Sequence, residues 1–172
     1  MSKYIIALDQ GTTSSRAVIY DENGIVKSFA QKPLTQHYPR PGWVEHDPEE
    51  IIKTLFEALS EAFKKSGVKR SDIAAVGITN QRETSVVWEK DSGRSIYNAI
   101  VWQCRRTADT CEELKKDGMG AYIQEKTGLL IDAYFSATKF KWILDNVGGA
   151  KSAVEKANLL CGTIESLSLI HI

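Results

Sequence analysis

The sequence predicts one mixed α/β domain whose N-terminal sheet is largely antiparallel. Three observations support this class. Short apolar runs separated by turn residues fill the first 30 positions, a capped helical pattern follows at residue 48, and helical periodicity prevails beyond residue 105. The length of 172 residues suits a single domain.

Three short strands are predicted near the N-terminus. Residues 4–8 form a continuous apolar run, which is typical of a strand buried on both faces. Residues 16–20 and 25–30 form the next two strands. Residues 21–24 between them, Asp-Glu-Asn-Gly, indicate a hairpin turn, because Asn and Gly tolerate the positive φ of tight turns.

The clearest helix is predicted from Pro48 to about Gly67. Asp47 can cap its first amide groups, and proline suits the first helical position. Gly67 favours a stop after two lysines. The apolar residues at helical spacing, expected to face the core, are Ile52, Leu55, Phe56, Leu59, Ala62 and Phe63.

The second half of the chain turns from strands to helices. Residues 73–79 are predicted to be another buried strand, with residues 84–89 as its partner. An apolar stretch follows at residues 99–102. Helical patterns then begin at Arg105, at residues 120–126 and at residues 136–147.

Charge and cysteine content exclude several classes of protein. Lys+Arg and Asp+Glu both number 22, so there is no overall basic field to hold nucleic acid. The first apolar run is too short for a membrane span or a signal peptide, which favours a cytoplasmic protein. Cys104, Cys111 and Cys161 lack metal-ligand spacing. We expect reduced thiols without a function, with Cys104 and Cys111 on one buried helix face.

The first candidate site is the polar turn from Asp9 to Arg16. A glycine followed by four hydroxyl residues can present amides and hydroxyls to a phosphate chain. The turn leads into a strand and lacks the GxxxxGK[ST] pattern, so it is not a Walker loop. Asp9, at a strand end, could hold hydrated Mg²⁺, and Arg16 could add positive charge. The alternative is an ordinary hydroxyl-rich hairpin.

The second candidate site is the segment Asn-Gln-Arg-Glu-Thr at residues 80–84, which follows a strand. Arg82 and Glu83 could donate to and accept from the hydroxyls of a small polyol. The alternative is a solvated turn with a surface ion pair, worth ~0–1 kcal/mol.

Aromatic residues form the third group of candidates. Trp102 and Tyr134 could pack against the carbon skeleton of a substrate, although tryptophans are often core residues. The remaining tryptophans, Trp43, Trp88 and Trp142, are expected only to pack in the core or on the surface. The histidines His37 and His46 are expected to be solvated in loops.

Four stretches of the sequence resemble the N-terminal part of the glycerol kinases, which are two-domain sugar kinases with the actin-like, ribonuclease-H-like ATPase fold. The element at residues 9–13 is shared widely among sugar kinases. The segments at residues 80–84 and 102–106 are more specific to the glycerol enzymes. The resemblance runs from about Tyr4 to Ser166, and the stretches that carry it are residues 6–16, 41–48, 77–84 and 99–107.

The resemblance implies a substrate, cofactors and site residues. ATP would transfer its terminal phosphoryl group to glycerol, giving sn-glycerol 3-phosphate. Mg²⁺ would lie near Asp9. The residues implied at the nucleotide phosphates are Thr12, Thr13, Ser14 and Arg16, and those implied in the glycerol pocket are Arg82, Glu83, Trp102 and Tyr134.

The resemblance also implies features that this chain lacks. Members of the family carry a catalytic aspartate in a Gly-Asp-Gln segment, and no such segment occurs here. We therefore expect a truncated kinase domain, inactive alone, whose full-length parent is a homo-oligomer. The alternatives are a kinase for another polyol or sugar, such as xylulose, ribulose or gluconate, and a non-catalytic ligand-binding module.

The last six residues, Leu-Ser-Leu-Ile-His-Ile, depart from the family pattern. They are what CTG TCT CTT ATA CAC ATC encodes, a run that coincides with a transposase adaptor used in sequencing libraries. We expect residues 1–166 to be the incomplete kinase domain and residues 167–172 to be translated adaptor. The alternative is a natural, divergent C-terminus, and the coding DNA distinguishes the two.

Overall fold

The computed structural model describes the backbone of residues 3–171 and the side chains of residues 3–168. The elements follow in chain order: β1 Tyr4–Gln10, β2 Ser14–Tyr20, β3 Val26–Pro33, β4 Glu45–His46, α1 Pro48–Ser66, β5 Ile73–Asn80, β6 Ser85–Glu89, β7 Ala99–Ile100, α2 Ala108–Lys116, α3 Met119–Thr127, α4 Ser136–Asn146, α5 Ala150–Glu155, β8 Leu159–Thr163 and α6 Ile164–His171.

The chain divides into two compact units. The first unit contains the residues up to 36, residues 46–81 and the residues from 164 onward. The second unit contains residues 37–45 and 82–163. The predicted phosphate turn therefore belongs to the first unit, and the predicted polyol-binding residues belong to the second.

The first unit is built on a sheet with the strand order β3-β2-β1-β5. β2 pairs antiparallel with both β1 and β3, and β5 pairs in parallel with β1. Two of the three pairings are antiparallel, which confirms the prediction of a largely antiparallel sheet. Alternate residues of β1 and β2, such as Ile6 and Ile19, pack against Leu55 and Ala58 of α1. This contact forms the hydrophobic core of the unit.

Helix α1 begins and ends as its local signals predict. The Asp47 carboxylate accepts a hydrogen bond from the Glu49 amide at 2.9 Å, and Gly67 ends the helix with φ of 67°. The buried face was predicted only in part, because Phe56 is 42% exposed. The side chains that face the sheet are Ile51, Thr54, Leu55, Ala58 and Ala62.

Two predictions about β1 and β5 are wrong. Neither strand is buried on both faces, since Ile5 is 47% exposed and Val76 is 50% exposed. β5 lies at the edge of its sheet and does not pair with β6. The extended run is interrupted at Glu83, whose φ is 65°, and β6 pairs with β7 and β8 instead.

The second unit contains the sheet ordered β4-β7-β6-β8, and β6 is antiparallel to both of its neighbours. Helix α4 packs on β6 through Ile143, which contacts the core residues Val87 and Ile100. A smaller cluster around Cys111 and Ile131 joins α2 and α3. The elements α5, β8 and α6 were not predicted from the sequence.

The three cysteines are free, but they do not share one environment. Cys104 and Cys111 are buried, as expected. They do not lie on one helix, because α2 begins only at Ala108 and Cys104 precedes it in an irregular segment. Cys161 is exposed on β8.

The C-terminal helix α6 packs within the first unit. Ile164 and Leu167 are buried, and so is Ser168, whose hydroxyl donates to the Ile164 carbonyl at 2.8 Å. The predicted adaptor tail stays a prediction, and its last residue, Ile172, lies outside the described residues. Among residues 3–171, none of the helices combines the length and the apolar character that crossing a membrane requires.

Candidate functional site

The predicted phosphate turn connects β1 to β2 and is held by main-chain hydrogen bonds. The Gly11 amide donates to the Ser14 carbonyl at 3.0 Å, which closes the turn. The Thr13 carbonyl accepts from the Leu34 amide at 3.0 Å, and the Thr12 carbonyl accepts from the Gln36 side chain at 2.7 Å. The backbone of the turn is therefore fixed without any ligand.

The hydroxyl groups of the turn lie in two different environments. Thr13 is exposed and Thr12 is half-buried. Ser14 is buried, and its hydroxyl accepts a hydrogen bond from Gln31 at 2.8 Å. Ser15 is also buried and lies 2.8 Å from the Thr54 hydroxyl. Thr12 and Thr13 are thus the residues of the turn whose side chains reach its surface.

Asp9 and Arg16 are cross-strand neighbours, and their side chains form an ion pair at 3.2 Å. The Asp9 carboxylate is 35% exposed and therefore accessible from solvent. A Cβ atom at Gly11 would lie 3.8 Å from Asp9 Oδ1 and 3.1 Å from the Ser14 carbonyl oxygen. Glycine therefore leaves the space beside the carboxylate open.

The residues present around Asp9 fit a magnesium ion that is shared with phosphates. Groups of three or more potential metal-ligating side chains are absent from the part of the chain that the structure describes. Mg²⁺ in phosphate-transfer enzymes is commonly held by one or two carboxylates together with water and phosphate oxygens. A single exposed carboxylate beside a phosphate turn is compatible with that arrangement.

Gln81 directly follows β5 in the first unit and is held there by main-chain and side-chain contacts. Its amide donates to the Gln10 carbonyl at 2.8 Å, and its side chain lies 3.0 Å from His46 Nδ1. His46 is completely buried, so the prediction of a solvated loop histidine is wrong. The sequence around His46 is polar, but tertiary contacts bury the ring.

In the second unit, the structure brings three of the predicted polyol-binding residues into one network. The Trp102 amide donates to the Thr84 hydroxyl at 3.3 Å, directly after Glu83 in the chain. The rings of Trp102 and Tyr134 meet edge-on with their centroids 5.8 Å apart. Trp102 and Tyr134 are half-buried, and Arg82 is exposed beside Glu83. No Arg82–Glu83 ion pair is present among the residues described.

Two residues of α4 complete this network, and neither was predicted from the sequence. The Ser136 hydroxyl donates to Glu83 Oε2 at 2.9 Å. The Lys139 ammonium donates to the Glu83 carbonyl at 2.9 Å and to the Tyr134 carbonyl at 2.5 Å. The available signal was spacing, because Lys139 lies four residues before the core residue Ile143.

Burial changes the acidity of Lys139. Loss of hydration disfavours the charged ammonium and lowers its pKa to about 8, although the nearby Glu83 carboxylate opposes this shift. The ammonium of Lys139 therefore bonds to fixed main-chain carbonyls instead of to water, and these bonds fix its position.

A second buried network, also not predicted, surrounds Arg106. Its guanidinium donates to the Glu45 carboxylate at 2.6 Å, and their side chains are 0% and 3% exposed. The rings of Trp43 and Trp142 cover the guanidinium, with its central carbon 4.0 and 4.5 Å from their centroids. These tryptophans therefore do more than fill space, since they contribute cation–π contacts.

Glu45 remains a carboxylate despite its burial. Burial by itself would raise its pKa, but hydrogen bonds from Asn98, Tyr97 and Arg106 hold the pKa below its ordinary value. The same network joins two loops, because the Val101 amide donates to the Val44 carbonyl at 3.1 Å. It thereby supports the backbone that leads directly into Trp102.

Comparison with known proteins assigns nearly the whole chain to one kind of domain. The model of the FGGY family of carbohydrate kinases, N-terminal domain, matches residues 4–169. Glycerol kinase 2 of Thermotoga maritima is 58% identical over 95% of this chain, and the glycerol kinase of Brachyspira hyodysenteriae is 60% identical over 96%. The chain spans about a third of the length of these relatives, 33% and 34%.

Solved structures show the same likeness. A structure of Plasmodium falciparum glycerol kinase with ADP is 32% identical with a TM-score of 0.87, covering 96% of this chain and 33% of that chain. A gluconate kinase from Lactobacillus acidophilus has a TM-score of 0.83 at 24% identity, covering 97% of this chain and 32% of that chain. At that identity, the second likeness supports the fold alone.

Proposed function

Because this chain belongs to the FGGY family of carbohydrate kinases, we propose that it forms the glycerol-binding and phosphate-binding part of a glycerol kinase. The predicted fold, the actin-like N-terminal domain of a kinase, is confirmed by the family and structural matches. The substrate and the roles of individual residues are proposals, and the geometry of the two units supports them as follows.

Glycerol would bind in the second unit at Arg82, Glu83, Trp102 and Tyr134. The Glu83 carboxylate can accept hydrogen bonds from glycerol hydroxyls, and the exposed Arg82 side chain can donate to their oxygens. The half-buried ring of Trp102 offers an apolar surface to the carbon chain, and Tyr134 adds a hydroxyl group. Such a site would reject analogues that lack the hydroxyls, because its own polar groups would lose their partners.

ATP would place its phosphates at the turn between β1 and β2 in the first unit. The accessible side chains of Thr12, Thr13 and Arg16 suit this role better than Ser14, whose hydroxyl is buried against Gln31. Asp9 would hold Mg²⁺ through water and phosphate oxygens. The ion, when bound, neutralises phosphate charge that develops during transfer.

In the proposed reaction, a terminal hydroxyl oxygen of glycerol bonds to the terminal phosphorus of ATP while the bond to the ADP oxygen breaks. The hydroxyl proton passes to a base. This chain contains no Gly-Asp-Gln segment to supply that base. We therefore propose that these 172 residues orient glycerol and phosphate but do not catalyse transfer by themselves.

The observation that carries the proposal is the network that links Glu83, Trp102 and Tyr134. Lys139 bonds the main-chain carbonyls of Glu83 and Tyr134, the Trp102 amide bonds the Thr84 hydroxyl, and the rings of Trp102 and Tyr134 are in contact. A polyol needs this combination of polar acceptor and apolar surface. The predicted cytoplasmic location and homo-oligomeric state stay predictions.

The test requires a complete kinase. Residues 1–166 of this chain would be joined to the remaining two thirds of the Thermotoga maritima glycerol kinase, and ADP release would be measured with glycerol, xylulose, ribulose and gluconate. We expect glycerol to have the highest kcat/KM. A higher kcat/KM for any other acceptor would overturn the assignment to glycerol.

The chain alone serves as the matched control. We expect no ADP release above the blank from the 172 residues, because they lack the proposed base. Turnover by the chain alone would contradict that part of the proposal. Tight glycerol binding by the chain, together with no turnover by the complete kinase, would favour a ligand-binding module instead.

A further inference from the structure

Lys139 is the residue whose placement the proposed function leaves unexplained. It is one of the largest completely buried side chains in the part of the chain that the structure describes. Its ammonium donates to main-chain carbonyls, those of Glu83 and Tyr134, at 2.9 and 2.5 Å. These two acceptors belong to residues that we place in the glycerol pocket.

Filling space does not account for a lysine at this position. Removing an ammonium from water is costly, and the cost falls only when the charge is well paired. Lys139 also lies in the first turn of α4, near the positive end of the helix dipole, where a cation is disfavoured. An apolar side chain of the same length would fill the space without these costs.

The carbonyl of Glu83 needs unusual support. Glu83 has a backbone φ of 65°, which lies in the left-handed region that residues other than glycine rarely adopt. Lys139 donates to its carbonyl at 2.9 Å, and the single proton of the Ser136 hydroxyl is directed to the carboxylate at 2.9 Å, with the carbonyl oxygen 3.2 Å away. These bonds fix both the backbone and the side chain of Glu83.

The carbonyl of Tyr134 is held by the same ammonium. Tyr134 lies in the segment between α3 and α4, and its ring contacts Trp102. One buried cation thus ties the turn that carries Glu83 to the segment that carries Tyr134. Lys139 bonds both segments directly, and Ser136 adds a bond from the start of α4 to Glu83.

We propose that Lys139 is a positioning residue for the polyol pocket, which sets the distance and orientation between Glu83 and Tyr134 so that both contact one small polyol. This inference rests on the proposed function, because the polyol is glycerol only if that function holds. Lys139 does not touch the substrate and acts through its two carbonyl partners.

The test compares Lys139→Met with Lys141→Met in the complete kinase described above. Both lysines belong to α4, but Lys141 is 67% exposed and pairs with Asp145 on the same helix. For Lys139→Met we expect the glycerol KM to rise about tenfold, because two hydrogen bonds from a charged donor are lost. The KM for ATP should stay unchanged. Lys141→Met should change neither value.

These readouts separate positioning from simple loss of folded enzyme. A merely structural role would lower kcat through the active fraction and leave both KM values unchanged. Lys139→Gln keeps an uncharged NH₂ donor group on a shorter side chain and should give an intermediate glycerol KM. An unchanged glycerol KM in both Lys139 variants, or equal rises in the KM for glycerol and ATP, would overturn the proposal.

A second measurement does not depend on activity. In the 172-residue chain, amide hydrogen exchange should accelerate at residues 82–85 and 134–136 in Lys139→Met and stay unchanged in Lys141→Met. Unchanged exchange in Lys139→Met would overturn the role of Lys139. Lack of turnover by the unmodified complete kinase, with faster exchange in Lys139→Met, would instead contradict only the proposed function.

Discussion

At the residue scale, Glu83 combines a strained backbone with a carboxylate in the proposed polyol pocket. Its φ of 65° costs about 1–2 kcal/mol for a residue with a Cβ atom. The surrounding bonds from Ser136 and Lys139 hold it in that conformation. Strain that persists in this way is common at binding sites, because the local geometry is needed there.

This strain can be measured with two substitutions. We expect Glu83→Gly to be about 1 kcal/mol more stable than Glu83→Ala, because glycine adopts a positive φ without the steric cost. Both variants lose the carboxylate and should bind glycerol poorly in the complete kinase. Urea unfolding of the 172-residue chain gives the stabilities. Equal stabilities would show that the backbone of Glu83 is not strained.

The buried ammonium of Lys139 predicts a pH dependence of stability. Its pKa is lowered to about 8 in the folded chain from an ordinary value of 10.5. Between these values the folded chain holds the neutral amine while the unfolded chain still binds the proton. Stability should therefore rise with pH across this window and fall as pH drops toward 8.

The measurement compares the chain with its Lys139→Met variant, so that the contributions of the other titrating groups to the free energy of unfolding cancel. Relative to the variant, the free energy of unfolding should rise by about 1.4 kcal/mol per pH unit above pH 8. The charged or titratable groups that act on Lys139 are Glu83, Cys104, Arg106 and Asp132. A constant difference between pH 8 and pH 10 would contradict the lowered pKa.

At the scale of elements, the Arg106–Glu45 pair joins strand β4 to the turn before α2, 61 residues away in the sequence. Both side chains are buried, so each charge depends on the other for its stability. Asn98 and Tyr97 satisfy the remaining carboxylate positions. This network supports the stretch that leads to Trp102, although the sequence indicated only a packing role for its tryptophans.

Removing one partner of the Arg106–Glu45 ion pair should strongly lower the free energy of unfolding. Arg106→Met leaves the Glu45 carboxylate buried without its cation, and we expect about 3–5 kcal/mol of destabilisation in urea unfolding. The double variant Glu45→Gln, Arg106→Met should be more stable than Arg106→Met alone. The control is Arg105→Met, because Arg105 forms an exposed pair with Asp132 and should cost less than about 1 kcal/mol. Similar losses for both arginines would contradict this account.

At the scale of the whole molecule, the environments of the cysteines predict how many thiols react. Cys104 and Cys111 are buried, and burial raises the pKa of the Cys111 thiol, so both should be unreactive in the native chain. Cys161 is exposed and should react quickly with a disulfide reagent. We expect one fast thiol before denaturation and three after it. Fast reaction in Cys161→Ser would show that a buried thiol is accessible.

The sequence by itself determined the parts of this protein that depend on near neighbours. The caps of α1 and the early hairpin follow from residues within a few positions of each other, and the structure confirms them. The four stretches at residues 6–16, 41–48, 77–84 and 99–107 were sufficient to identify the family, which the comparisons confirm. The roles of their individual residues stay predictions.

Tertiary structure alone decided which surfaces meet. The same apolar spacing allowed several faces of α1 to be buried, and only contact with the sheet selected Ile51 and Ala58. Strand propensity could not show that β5 pairs with β1 and not with β6. Lys139 gave no polar-site signal in the sequence, because its partners lie on a turn 56 residues away and on the segment before α4. Burial and pairing depend on long-range contacts, which local patterns do not contain.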